Sequence, residues 1–242
     1  MHDPGTSNIA FHIGPATAYG SASSNGWMAD AYPGGGSHIT VHYVDSSNDL
    51  HSKQISAPSY SVPTAAKQPG GSYLDTGEPG FTNVVAIGGE LYLATTSGYN
   101  WGNGNNNSVV LWMQVQASTS STTLDKYGSF GYAGLWYFYS SSAGSPASGQ
   151  YQAFNYALSG ASRYVSAAIA EVDYTGAVKS NYYSIYGNAP YTGVSRSGCS
   201  SSPCYRWGDY SSLYVDPNNS ATLWAAGAGP DPGRWTRGYA AS

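Results

Sequence analysis

Nowhere in this chain do apolar residues recur at i, i+3 and i+4 for three turns without a Gly, Pro or Ser cluster breaking in, so no stretch reads as a helix. The period is two instead. In His38-Ile39-Thr40-Val41-His42-Tyr43-Val44, the residues Ile39, Val41 and Tyr43 share one face and His38, Thr40 and His42 the other. From Val109 to Gln116 the odd positions are all apolar, while the even ones run from Val and Trp to Gln. Both segments read as strands with one buried side. Further strands are expected at 83–87, 91–96, 135–139, 151–158, 164–172, 181–186, 213–215, 221–225 and 234–239, with 8–11 placed to complete a last unit. Turn clusters such as Pro33-Gly34-Gly35-Gly36, Asp45-Ser46-Ser47-Asn48 and Pro69-Gly70-Gly71 separate them. Many short strands at this spacing imply an all-β fold: a propeller, or a β-sandwich or jelly roll.

The longer loops divide the chain into units near 13–60, 80–130, 133–188 and 207–240, each the size of a propeller blade. The expectation is a single all-β domain over 1–242, propeller-like with about four to five blades, or else the C-terminal part of a larger ring. Near the C-terminus, Leu213-Tyr214-Val215-Asp216-Pro217-Asn218-Asn219 runs on to Leu223-Trp224. Pro fixes φ and Asn tolerates the left-handed backbone, so Asp-Pro-Asn-Asn is a turn and the whole segment a hairpin.

Only 9% of the 242 residues are charged, against about 25% in an ordinary soluble protein. Nine basic and thirteen acidic residues leave a formal charge of −4, with no basic patch for a phosphate backbone, so nucleic acid is not expected as a partner. No apolar run approaches the roughly 20 residues of a membrane span, and the first residues lack the pattern of a signal peptide. The two cysteines, Cys199 and Cys204, flank Ser-Ser-Ser-Pro, and the expected reading is a small disulfide ring. That bond places the protein in an oxidising, extracellular compartment, its signal peptide absent or removed.

Several pieces from residue 65 onward carry a resemblance. They are Lys67-Gln68-Pro69-Gly70-Gly71-Ser72 with Leu74-Asp75-Thr76-Gly77, Asn83-Val84-Val85 with Gly89-Glu90-Leu91-Tyr92, Ser108-Val109-Val110-Leu111-Trp112, and Arg206-Trp207-Gly208-Asp209-Tyr210-Ser211. In order and spacing they resemble secreted β-propeller proteins of the sialidase-like, BNR-repeat kind. The resemblance implies a propeller fold, with this stretch in the C-terminal part of a longer ring. It does not carry sialidase chemistry over: none of the five arginines sits in an Arg-Ile-Pro-like context, and the hairpin lacks the full Ser-x-Asp-x-Gly-x-Thr-Trp form of the repeat, since Asp216 is followed by Pro217 and Asn218.

Candidate chemistry is sparse. Glu171 and Asp173, two apart on one expected strand, lie on one face at the separation of a glycosidase acid pair; against this, Asp173 opens a turn. Asp75-Thr76-Gly77-Glu78 contains the Asp-Thr-Gly of aspartic proteases, but in a single copy. Arg206 and Asp209 flank Trp207-Gly208 as a charged pair in a charge-poor chain: either a structural ion pair beside a buried Trp207, or a polar rim over a central pocket. His38 and His42 stand about 13 Å apart on a strand and cannot share a metal without a bulge. No nucleophile elbow and no phosphate-binding loop is visible, and no cofactor is expected. The loop Tyr99-Asn100-Trp101-Gly102-Asn103 offers exposed aromatics amid amides, a composition suited to stacking on sugar rings. The favoured function is an extracellular module that binds a glycan, polysaccharide or surface. The alternatives are a glycan-cleaving hydrolase or lyase on the same scaffold, and a structural protein that self-associates through open strand edges.

Overall fold

The computed structural model describes residues 13–19, 25–102, 106–144, 151–173, 175–199 and 201–228. The expected strands at 8–11 and 234–239, and Asn103, lie outside them. All regular structure among the described residues is β. The strands are β1 (Gly14–Tyr19), β2 (Gly26–Ala31), β3 (Gly36–Val44), β4 (Leu50–Tyr60), β5 (Ala66–Lys67), β6 (Tyr73–Leu74), β7 (Val84–Ile87), β8 (Glu90–Asn100) and β9 (Asn106–Gln116). They continue with β10 (Thr123–Phe130), β11 (Leu135–Gly144), β12 (Tyr151–Gly160), β13 (Arg163–Asp173), β14 (Val178–Ile185), β15 (Cys204–Tyr205), β16 (Ser212–Asp216) and β17 (Asn219–Ala226).

Three four-stranded antiparallel meanders follow one another, β1–β4, β7–β10 and β11–β14, and the hairpin β16–β17 comes last. These units match the sequence divisions closely, and the arrangement is propeller-like. It departs from separate blades in one respect: β1 pairs in parallel with β7, Ala16 with Val84 through Tyr19 with Ile87. The first two meanders thereby fuse into one eight-stranded sheet with β10 and β4 at its ends, curled into a nearly closed barrel.

The curl explains a correction to the reading of β9. Its odd residues Leu111, Met113 and Val115 fill the barrel interior with Ile39, Val41, Leu91 and Leu93. Its even residues Val110 and Trp112 are buried as well, against Phe154, Tyr156 and Leu158 of the third meander. The second meander is a middle layer, so both faces of β9 are apolar where a surface strand would alternate. Burying one such aromatic or leucine contributes about 1.5–3 kcal/mol. The other face of the third meander packs Trp136, Phe138 and Val165 on Leu74 and Trp207, and the hairpin's Leu213, Val215 and Leu223 close over Val85, Tyr92 and Ala153.

Two buried amides hold the hairpin in place. Asn83 Nδ2 donates to the carbonyls of Ser142 (3.1 Å) and Leu213 (2.9 Å), and its Oδ1 accepts from Ser142 N–H (3.0 Å). Asn155 Nδ2 donates to Ala226 O at 2.7 Å and Ser212 O at 3.3 Å. A disulfide joins Cys199 to Cys204.

Candidate functional site

Residues from several units line a cavity of about 410 Å³. Its walls come from the start of β1 (Gly14, Pro15), the turn after β6 (Asp75, Gly77, Glu78), the approach to β7 (Gly80, Phe81, Thr82), Tyr139 in β11, and the segment before β16 (Arg206, Asp209, Tyr210), with Arg196 added from the loop before β15. Three acids and two arginines thus meet at one spot in a chain with very few charges.

Local structure fixes each of them. Asp75 is tied by its backbone N–H to Tyr205 O (2.9 Å), and its Oδ1 accepts from Gly77 N–H (3.2 Å), a side-chain turn that folds the chain back at Gly77. Its Oδ2 lies 2.7 Å from Arg196 Nη1. The disulfide loop sets the register of both arginines: Arg196 N–H donates to Cys204 O (2.9 Å) and Arg206 N–H to Val194 O (2.8 Å). Arg206 Nε donates to Asp209 Oδ2 at 2.8 Å, and Nη2 reaches the same oxygen. Arg206 and Asp209 belong to one segment and sit at the cavity mouth, while Trp207 between them turns inward, buried edge-on against Tyr191 with ring centroids 4.9 Å apart. Glu78 is exposed and makes no hydrogen bond or ion pair with any described residue.

Tyr139 forms the floor. It has a left-handed backbone (φ 52°) at the irregularity of the β11–β12 pairing between Phe138 and Ser141, a bulge that re-aims its side chain. Its carbonyl accepts from Ser211 Oγ, and its ring lies so close to Gly77 that a Cβ there would come within 2.7 Å of it. Burial pushes the Tyr139 phenol well above its ordinary range, and the negative charges of Asp75 and Asp209 push it further, partly offset by Arg196 and Arg206. The phenol therefore stays protonated. Tyr210, 73% exposed, extends the rim toward a second depression of about 320 Å³ that also involves Tyr191 and Val194.

The other residues singled out in the sequence lie elsewhere. Tyr99 and Trp101 touch each other at 4.7 Å between ring centroids, and both are more than one-third exposed. They sit on the β8–β9 hairpin and do not line the cavity. Glu171 accepts from Ser180 Oγ (3.0 Å) across the β13–β14 pairing. Asp173 opens the turn that follows: its Oδ1 accepts from Thr175 N–H (2.8 Å) and Ala177 N–H (3.1 Å), and its Oδ2 pairs with Lys179 Nζ (2.8 Å). Neither acid lines the cavity. Asp216 caps the hairpin turn, accepting from Trp224 Nε1 and Asn218 N, each at 2.7 Å. Among the described residues no cluster of three or more His, Cys, Asp and Glu is placed to hold a metal ion.

Asp173 has a clear pH consequence. Lys179 first, then the Thr175 hydroxyl, holds its carboxyl far below the ordinary value of about 3.8. A depressed folded pKa contributes stability that is present above the unfolded value and lost as pH falls below it. The difference in thermal midpoint between the wild type and Asp173→Asn should therefore narrow as pH is lowered from 5 toward 2. A constant difference would show that ionisation of Asp173 is not the cause.

Fold and cavity together define an all-β, propeller-like protein with a charged depression. No family model and no curated protein sequence matches the chain. Among solved structures it is similar to a xylan beta-1,4-xylosidase from Bacillus halodurans C-125, with 12% identity and a TM-score of 0.30 over 90% of this chain. The chain spans about half the length of that protein (49%). A likeness this remote says nothing of what the present chain binds.

Proposed function

We propose that the charged cavity binds a glycan and that the protein is an extracellular recognition module. The observation that carries this reading is the convergence of Asp75, Glu78, Asp209, Arg196 and Arg206 with Tyr139 and Tyr210 in one cavity of a chain in which only 9% of residues are charged. A cavity of 410 Å³ lies within the usual range for small-molecule sites, about 300–1,000 Å³. Paired carboxylates and guanidinium groups present fixed acceptors and donors that match a ring of hydroxyls, and an exposed tyrosine supplies a flat apolar face at the rim. The disulfide supports an oxidising, extracellular setting. No helix among the described residues is long and apolar enough to cross a membrane.

A second reading, hydrolysis, is favoured by Glu78. It is an unpaired carboxylate in the same cavity as Asp75 and Asp209, and glycoside cleavage needs two carboxyl groups facing one bond. One experiment separates the readings: incubation with a panel of insoluble polysaccharides, followed by mass spectrometry of pellet and supernatant. Binding predicts protein in the pellet and no released sugars. Tyr210→Ala and Asp209→Asn should each reduce retention about tenfold or more with an unchanged thermal midpoint, since both residues are on the rim. Released oligosaccharides that disappear in Glu78→Gln would make the protein a hydrolase, and unaltered retention by both rim variants would place the binding surface elsewhere, with the Tyr99–Trp101 pair next to test.

A further inference from the structure

Three neighbouring strands of the first meander place Asp30, His42 and Ser52 in one hydrogen-bonded line. His42 on β3 is the direct cross-strand partner of Ser52 on β4, and Asp30 on β2 is opposite Thr40, two residues along the same face. Ser52 Oγ lies 2.8 Å from His42 Nδ1, and His42 Nε2 lies 2.7 Å from Asp30 Oδ2. The side chains of His42 and Asp30 are both 13% exposed, whereas Ser52 is exposed. For a neutral imidazole one tautomer satisfies both bonds: Nε2–H donates to Asp30, and Nδ1 accepts the Ser52 hydroxyl proton. This is the arrangement in which a ring nitrogen is free to remove a proton from a serine while the opposite nitrogen is held by a carboxylate.

We infer that Ser52, His42 and Asp30 form an acyl-transfer site that cleaves short-chain carboxylic esters. Ser52 Oγ attacks the ester carbonyl carbon, forming a C–O bond as its proton passes to His42 Nδ1. Asp30 stabilises the imidazolium through Nε2–H. When the tetrahedral adduct collapses, the ester C–O bond breaks and the departing oxygen takes the proton from Nδ1, leaving as the alcohol. Water then repeats the sequence on the acyl-serine, giving the carboxylic acid and restoring Ser52. Thr40 and Gln54 are cross-strand partners two residues along the same face from the His42–Ser52 pair, and their hydroxyl and amide would donate to the developing oxyanion. The nitrogens are used in the order opposite to the usual serine-hydrolase triad, but the roles require only that both be bonded in this sense. Ser52 stands on an outermost strand facing solvent, so the ester approaches in the open and a short acyl group is the class that fits. The inference is independent of the glycan reading of the charged cavity.

The test is covalent labelling of the intact protein by a fluorophosphonate probe, with the labelled peptide identified by mass spectrometry, alongside hydrolysis of p-nitrophenyl acetate. The expected result is labelling at Ser52, absent in Ser52→Ala. In His42→Gln both labelling and hydrolysis should be slower by about 10² or more, the scale of general-base assistance. Asp30→Asn should be intermediate and should retain the label at Ser52. Circular dichroism checks each variant's fold, and the comparison of native with urea-unfolded wild type needs no variant at all. Labelling of native Ser52 no faster than in the unfolded chain, or His42→Gln labelled as fast as wild type, would overturn the inference and leave the line a cross-strand hydrogen-bond network.

Discussion

Replacing Asn83 by alanine should lower the midpoint of thermal unfolding by about 6–12 °C. The side chain is 3% exposed and makes three hydrogen bonds, joining the strand β7 region to β11 and to the hairpin. At about 1 kcal/mol net for each bond, the loss is about 3 kcal/mol, and a domain of this size loses about 2–4 °C for each kcal/mol. The truncation also leaves Ser142 N–H and the carbonyl of Leu213 without their Asn83 partner, which adds to the loss. Asn218→Ala, in the exposed hairpin turn, is the control and should move the midpoint little. A change in Asn83→Ala no larger than the control's would show that water or neighbouring groups take over its bonds. The same substitution should weaken glycan retention, because the hairpin it releases is continuous with Asp209 and Tyr210.

Gly77→Ala should reduce glycan retention by about tenfold or more, whereas Gly71→Ala should leave it unchanged. Both glycines have left-handed backbones, φ 70° and 81°, so an L side chain at either costs roughly 1–2 kcal/mol of folding stability. They differ in surroundings. A Cβ at Gly71 meets nothing within 4 Å, but at Gly77 it would stand 2.7 Å from the Tyr139 ring that floors the cavity. The pair therefore separates backbone strain, common to both, from displacement of the floor. Equal binding by the two variants, each measured by polysaccharide pull-down at a temperature where both are folded, would remove Tyr139 from the site.

How far each part of this was legible in the sequence depended on whether a residue's surroundings lay near it in the chain. The meanders were, because β3, β12 and β13 alternate or run apolar for their whole length. The outermost strands β4 and β10 are not legible: Leu50–Tyr60 and Thr123–Phe130 are mostly exposed, and their few buried residues impose no period. In β1 and β2 the side chains are mostly small, so the pattern is present in burial but weak in hydropathy. Of the cavity, Arg206 and Asp209 stood out by charge alone, and Asp75 with Glu78 by composition. Arg196 and Tyr139 did not, since only the folded chain brings segments near 75, 139, 196 and 210 together. Asp30, His42 and Ser52 were equally hidden, because their alignment depends on the register of three strands and no local spacing encodes it.

The outermost strands bear on solubility as well. The chain has four lysines, and three of them fall one to each outer strand of the meanders: Lys53 on β4, Lys126 on β10 and Lys179 on β14. A chain rich in tyrosine, glycine and apolar strands is at risk of templating further strands on its open edges, and an edge lysine makes such an addition unfavourable because its charge would have to be buried at the new seam. Most of the scarce lysine charge is thus set at the sheet borders, where it guards against aggregation.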